Sequence, residues 1–218
     1  HNMNIVIIGT GYVGLVTGVG LASLGNTVDF IDLDENKIED LSDKKITFYE
    51  PGLEEYFNDD QTFKRMSFSS DYRSIKWDNI DIVFVCVQTP NNIETNSVDT
   101  NFLESAIKEI NNVNNSELVI TVKSTIPPYE IEKVCEKVGM DSSKLTFNPE
   151  FLREGSAVED FFKPDRIVLG GTDSEKLSKL KELYSGFECE IIITDSISSQ
   201  LIKYLANTYL PLRLSFVN

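Results

Sequence analysis

Histidine is nearly absent from this chain of 218 residues: the only one is His1. The sequence begins His1-Asn2-Met3, so Met3 is expected to be the native start and residues 1–2 a remnant of expression. Proton chemistry within this stretch must then rest on carboxylates or lysine, because no imidazole is at hand. Cysteine is scarce as well. Cys86, Cys135 and Cys189 lie far apart, which excludes a metal-ligand or redox spacing. Cys86 sits in an apolar strand and reads as a small buried hydrophobe. An odd number of thiols in a charged chain without a secretory signal points to a reducing, cytoplasmic setting. Long hydrophobic runs are missing too. The apolar stretch near the N-terminus is broken by glycines and is too short to span a bilayer. Positive charge is in deficit, with 20 Lys+Arg against 35 Asp+Glu and a formal net charge of -15. That balance argues against nucleic acid and against anionic membranes as partners. An anionic ligand must be held by local cations and backbone N–H groups, against the overall field.

What the chain does have is ordinary enough for a core: 41% hydrophobic and 25% charged residues. Its length suits one large domain, or one domain plus a piece. The informative segment is the N-terminal one. The apolar run 4–8 ends in Gly9-x-Gly11-x-x-Gly14, and a helix rich in small residues follows over 12–24. Gly25-Asn26 stops it, and a second apolar run, 27–31, ends at Asp32. This is strand, glycine turn, helix, strand and acid, the order of a dinucleotide-binding βαβ unit. Gly9 allows the tight turn, Gly11 lets the backbone approach a pyrophosphate, and Gly14 lets helix and strand pack closely. The helix N-terminus offers free N–H groups to the anion. Asp32 can accept from both hydroxyls of an adenosine ribose and would repel a 2′-phosphate, which favours NAD over NADP.

Strand and helix continue to alternate. A polar helix is expected over 35–41, carrying Lys37 one turn past the acid, and a short helix over 53–57 after the turn Phe48-Tyr49-Glu50-Pro51-Gly52. Apolar runs predict strands at 81–87, 118–122, 145–147, 166–169 and 190–194. Helical spacing is seen over 102–110, 129–138, 155–161 and 174–184, and the polar stretch 91–99 reads as a flexible loop. The economical fold is α/β: a Rossmann-like, doubly wound, mostly parallel sheet over residues 3–197. From residue 198 a strongly apolar helix begins and runs without a cap to the last residue, with Pro211 expected to bend it near Asn207. So apolar a helix must be covered by something else, and the chain reads as truncated within a connecting helix.

The motifs resemble one family, the UDP-glucose/GDP-mannose dehydrogenases. The pieces are Ile8-Gly9-Thr10-Gly11-Tyr12-Val13-Gly14-Leu15, Tyr49-Glu50-Pro51-Gly52-Leu53 and Val85-Cys86-Val87-Gln88-Thr89-Pro90. They continue with Val122-Lys123-Ser124-Thr125-Ile126-Pro127, Asn148-Pro149-Glu150-Phe151-Leu152-Arg153-Glu154-Gly155, Pro164-Asp165-Arg166-Ile167-Val168-Leu169-Gly170 and Leu201-Ile202-Lys203-Tyr204-x-x-Asn207. The Glu-Phe-Leu-Arg-Glu-Gly and Pro-Asp-Arg pieces are most similar to the UDP-glucose branch. The resemblance implies an NAD-dependent, four-electron oxidation of a nucleotide-sugar C6 alcohol to a carboxylate, through an aldehyde and a cysteine thioester. The GDP-mannose and UDP-N-acetylmannosamine branches remain alternatives for the sugar.

Carried over by resemblance, Gly9, Gly11, Tyr12, Val13, Gly14, Asp32 and Lys37 hold the adenosine half of NAD. Thr89, Ser124 and Thr125 line its nicotinamide half, and Thr125 also helps hold the active-site water. Residues 150–154 form the loop between cofactor and sugar, with Phe151 and Leu152 against the substrate. Glu150 is the candidate base for thioester hydrolysis, and Glu154 approaches the cofactor. Lys203 and Asn207 contact the sugar, and Lys203 also stabilises the developing oxyanion. Chemistry agrees in that Lys203 and Asn207 are spaced i, i+4 and share a helix face, offering a cation and a neutral donor to an oxygen that gains charge. Taken alone, Glu154 reads rather as an ion-pair partner of Arg153 or Arg166, and Lys203 as a solvated lysine. No metal is implied. The family's nucleophilic cysteine sits in a glycine-rich segment, and none of the three cysteines here has that context. The resemblance further implies a homodimer through the C-terminal helix. A different class of protein, a non-catalytic NAD-sensing domain, would need the glycine turn and Asp32 but not Glu150, Glu154, Lys203 or Asn207.

Overall fold

The computed structural model describes residues 2–195. The expectations for the C-terminal helix, Pro211, Lys203 and Asn207 therefore lie outside the described residues. In chain order the elements are β1 (Asn4–Ile8), α1 (Tyr12–Ser23), β2 (Thr27–Ile31), α2 (Glu35–Ser42), α3 (Leu53–Asn58), α4 (Asp60–Lys64) and β3 (Met66–Ser69). They continue with β4 (Ile82–Val85), β5 (Asn91–Asn92), β6 (Ser97–Val98), α5 (Asn101–Asn111), β7 (Val119–Val122) and α6 (Pro128–Val138). The last are β8 (Leu145–Phe147), α7 (Ala157–Phe162), β9 (Arg166–Gly170), α8 (Ser174–Leu183) and β10 (Glu190–Thr194).

One sheet of 8 strands runs in the order β10-β9-β8-β7-β4-β1-β2-β3. The chain steps outward from β1 to β2 to β3, then returns to lay β4 on the other side of β1. That reversal opens a crevice beyond the carboxyl ends of β1 and β4, where α/β sheets of this kind place their ligands. Pairing is parallel except between β8 and β9, which meet antiparallel at Phe147 and Gly170, while β10 runs parallel to β9.

The central strands are buried on both faces, which explains their unbroken apolar runs. Alternate residues serve two separate cores. Ile5 and Ile7 of β1 and Ile82 and Phe84 of β4 face one core with Leu15 of α1, Phe57 of α3 and Phe161 of α7. Val6, Ile8, Val83 and Val85 face the other, packed by Leu103 and Ile107 of α5 and Ile131 and Val134 of α6. The small residues of α1 admit bulky neighbours: a Cβ on Gly18 would fall 2.3 Å from the Phe30 ring, and one on Gly20 2.2 Å from the Phe161 ring.

Two segments differ from the sequence reading. Residues 91–99, expected as a flexible loop, contain the short antiparallel ladder β5-β6. Its side chains are mostly exposed and carry no apolar alternation to announce it. The segment Asp60–Ser69, for which the sequence offered no expectation, forms α4 and the edge strand β3. No described helix is long and apolar enough to cross a membrane.

Candidate functional site: a glycine turn facing an acidic loop

The ends of five strands bring the site together: Gly9 after β1, Asp32 after β2, Thr89 after β4, Ser124 and Thr125 after β7, and residues 148–154 after β8. Gly9 has φ +101, and a Cβ there would lie 2.6 Å from the Cys86 carbonyl oxygen. A side chain is thus refused both by the backbone conformation and by β4. A Cβ on Gly14 would lie 2.0 Å from the Gly9 carbonyl oxygen, so α1 crosses the turn at a distance only glycine permits. Around Gly11 the picture is opposite: its φ of -69 is ordinary and nothing lies within 4 Å of a Cβ position. Gly11 is also the N-cap of α1 and supplies no side-chain cap, so no side chain of the cap takes up the first N–H groups of that twelve-residue helix. Uncapped amides with a helix dipole behind them and an empty cradle in front fit a diphosphate.

Asp32 is half-buried and is tied to the turn. Its Oδ2 accepts from the Thr10 amide at 2.9 Å and from the Thr10 hydroxyl at 2.6 Å, and its Oδ1 accepts from the Asp34 amide at 3.0 Å. A carboxylate offers about four lone-pair sites. Three are used here, which leaves one site on Oδ1 for a further donor. Lys37 lies half-buried in the first turn of α2, whose N-cap is Asp34.

On the other side of the crevice, the Thr89 hydroxyl donates to the Thr125 carbonyl at 2.8 Å and the Ser124 hydroxyl to the Val87 carbonyl at 2.7 Å. These bonds lash the loops after β4 and β7 together. Below them, buried Asn148 accepts at Oδ1 from Lys123 Nζ at 3.0 Å and from the Tyr184 hydroxyl at 2.5 Å, and donates through Nδ2 to the Val168 carbonyl at 3.1 Å. Burial pushes the Tyr184 phenol up strongly, so it stays a donor. This polar knot fixes the end of β8 from which the acidic loop departs.

In that loop Glu150 is half-buried and accepts from the Leu152 amide at 2.7 Å. Glu154 is exposed. Tyr12, at the start of α1, has its phenol pushed up by burial and by the charges of Glu150, Glu154 and Glu50. The glycine turn and the acidic loop are therefore electrostatic neighbours. Arg153, one ion-pair partner considered for Glu154, instead meets Asp160 of α7 at 2.9 Å and lowers that carboxyl below its usual range. Arg166, the other, lies with its guanidinium 5.7 Å from the centre of the Phe151 ring. Leu152 packs on the core. Burial pushes the Cys86 thiol up to about 12, opposed by Lys123 and reinforced by Glu150, so it is not a nucleophile near neutral pH. Among the described residues no group of three or more His, Cys, Asp or Glu could hold a metal ion.

Sequence reasoning passed over three residues that organise this region: Thr10, Glu50 and Asn148. Each stood inside a quoted motif. What set them apart is burial, at 2%, 3% and 3% exposure, which a lone polar residue does not announce.

Residues 3–188 match the UDP-glucose/GDP-mannose dehydrogenase family, NAD binding domain. A UDP-glucose 6-dehydrogenase of Rickettsia bellii is 38% identical over 221 residues, covering 99% of this chain and 50% of the relative. Among solved structures, a UDP-glucose dehydrogenase from Pyrobaculum islandicum superposes with a TM-score of 0.89 at 34% identity, over 100% of this chain and 52% of that one. A GDP-mannose dehydrogenase from Pseudomonas aeruginosa gives 0.88 at 27% identity, over 98% and 51%. The chain spans about half the length of the curated relatives it matches.

Proposed function

The chain belongs to the UDP-glucose/GDP-mannose dehydrogenase family, and on that premise we propose that it is the cofactor-binding part of an NAD-dependent dehydrogenase that oxidises the C6 alcohol of UDP-glucose to the carboxylate. The observation that carries the reading is the uncapped N-terminus of α1 beside an open cradle at Gly11, with Asp32 at the next strand end. The α1 amides bind the pyrophosphate. Asp32 accepts from the adenosine ribose through Oδ1 and opposes a 2′-phosphate by its charge. Lys37 stands one turn further along α2 and partly offsets that charge. NAD, when bound, supplies the hydride acceptor.

The loops after β4 and β7, tied by Thr89 and Ser124, orient the nicotinamide half. Thr125 helps hold the water that Glu150 deprotonates, and Glu154 approaches the cofactor. Phe151 and Leu152 wall the sugar side. Lys203 and Asn207, four residues apart in sequence, complete the site in this proposal, contributing a cation and a neutral donor. In the same proposal the apolar segment from residue 198 onward pairs two copies of the protein. An NAD-sensing domain has no use for a strand-end knot that presents two glutamates to the cofactor crevice, and this favours the enzyme.

The similarity to a GDP-mannose dehydrogenase structure makes the sugar worth testing directly. At the full length of its relatives, the protein should oxidise UDP-glucose with two NAD reduced per uronate formed. It should prefer UDP-glucose to GDP-mannose and UDP-N-acetylmannosamine in kcat/KM. Preference for either of the other sugars would refute the substrate assignment, and no oxidation of any of them would refute the enzyme reading.

A further inference from the structure

The motif Tyr49-Glu50-Pro51-Gly52-Leu53 has no part in the scheme above, yet its glutamate is among the few buried charged residues described, at 3% exposure. Its Oε1 accepts from the Gly155 amide at 2.7 Å and its Oε2 lies 3.4 Å from the Ala157 amide, 105 and 107 residues away. Its own carbonyl accepts from Leu53 at the start of α3 at 3.1 Å. Among the described residues no cation lies within ion-pair distance of it; Arg153, the nearest in sequence to its partners, is taken by Asp160. A buried carboxylate without a counter-ion is costly unless hydrogen-bonded, so these amides are what it is there to hold. Gly155 adopts φ +90, the left-handed region, with nothing within 4 Å of a Cβ position. The chain turns at Gly155 in a conformation that glycine takes freely, and the Ser156 amide closes that turn on the Arg153 carbonyl at 3.0 Å. Gly52, at φ +83, seats the motif on Val158 of α7, with 3.6 Å between its Cβ position and Val158 Cγ1.

We propose that Glu50 is a positioning residue: by gripping the Gly155 and Ala157 amides it fixes the far end of the acidic loop and sets the pose of Glu150 and Glu154 toward the glycine turn. The near end is fixed by the Asn148 knot, so the loop is clamped at both ends and its glutamates are pre-organised. The elevated Tyr12 phenol, which responds to Glu50, Glu150 and Glu154 together, is the electrostatic mark of that pose. The claim rests on the cofactor reading above as regards what the loop faces, but the grip itself does not.

The test uses the 218-residue chain, with Glu50→Gln as the main variant and Glu50→Asp as the charge-retaining one. Amide exchange by NMR, thermal midpoint and NAD affinity by calorimetry are the readouts. In Glu50→Gln the Gly155 and Ala157 amides should exchange about ten- to a hundredfold faster, the loss of one charge-assisted bond. The β1 and β4 amides should keep their protection. NAD affinity should fall several-fold well below the thermal midpoint, and Glu50→Asp should recover part of both effects. If Glu50→Gln does not fold, the unaltered chain still answers. Scalar coupling across the hydrogen bond between the Gly155 amide and the Glu50 carboxyl carbon should be detectable, and its absence would overturn the grip. Unchanged exchange at Gly155 and Ala157, faster exchange spread evenly over the sheet, or freed amides with unchanged NAD affinity would each overturn the positioning role. An unaltered chain that shows the coupling but binds no NAD would instead refute the cofactor reading.

Discussion

Two glycines three residues apart should respond to alanine in opposite ways. At Gly14 the new methyl would sit 2.0 Å from the Gly9 carbonyl oxygen, 3.0 Å from its carbonyl carbon and 3.3 Å from Cys86 Cβ. Two of those atoms are backbone and cannot turn away, so α1 must shift off the β1 turn. Overpacking of this kind costs about 1–3 kcal/mol, and backbone obstruction puts it near 3. For a chain of this size that lowers the thermal midpoint by about 6–12 °C. At Gly11 the backbone is extended and the space is open. Alanine there restricts the unfolded chain and stabilises by about 0.4–1 kcal/mol. Its methyl would, however, stand where a pyrophosphate must approach the α1 amides. Loss of one charge-assisted bond of about 1.5–3 kcal/mol weakens NAD about ten- to a hundredfold. Thermal melts followed by circular dichroism and NAD titration by calorimetry separate the two effects. A Gly11→Ala chain that melts as early as Gly14→Ala, or that binds NAD like the parent, would refute the cradle.

Three further outcomes are expected. Thr17 of α1 is fully buried and its hydroxyl has no hydrogen-bond partner among the described residues; Thr17→Val should remove a penalty of about 1–3 kcal/mol and raise the thermal midpoint by about 2–12 °C. The Asp160 carboxyl is lowered, first by the Arg153 hydrogen bond. A depressed carboxyl stabilises above its unfolded value and loses that contribution as pH falls through the folded one. Asp160→Asn should therefore destabilise at pH 7 and begin to converge with the parent only as pH falls below about 4, as urea titrations at pH 7 and at a series of pH values below 4 would reveal. Finally, burial pushes Cys86 up to about 12 and Cys135 up to about 11, and also raises Cys189. With no thiolate near neutral pH, the 218-residue chain alone should give no sustained NADH from UDP-glucose, and steady formation of NADH would refute that reasoning.

The strands read most clearly where burial on both faces leaves an unbroken apolar run, as in Ile82–Val85 and Val119–Val122. The edge strand Met66–Ser69 escaped because four residues are too few for its alternation of apolar residues and serines to stand out. The reversed direction of Arg166–Gly170 is set by a single pairing to β8, and nothing local encodes it. In the candidate site the glycine turn was legible since Gly9 and Gly14 each answer a nearby steric demand. Glu50 was not, because a glutamate between tyrosine and proline reads as a surface turn, and its partners at Gly155 and Ala157 lie 105 and 107 residues on. The fate of Arg153 was likewise undecidable from spacing, as its partner Asp160 lies seven residues on in α7 and takes both its guanidinium and its backbone amide.

The central claim is that the crevice beyond β1 and β4 is a site for NAD, read at the ribose by Asp32. Calorimetric titration of the chain with NAD and with NADP tests it directly. Binding of NAD about tenfold or more tighter than NADP is expected from one opposed charge and one lost hydrogen bond, and Asp32→Ala should narrow that gap. Equal affinities, a preference for NADP, or a gap that survives Asp32→Ala would contradict the account.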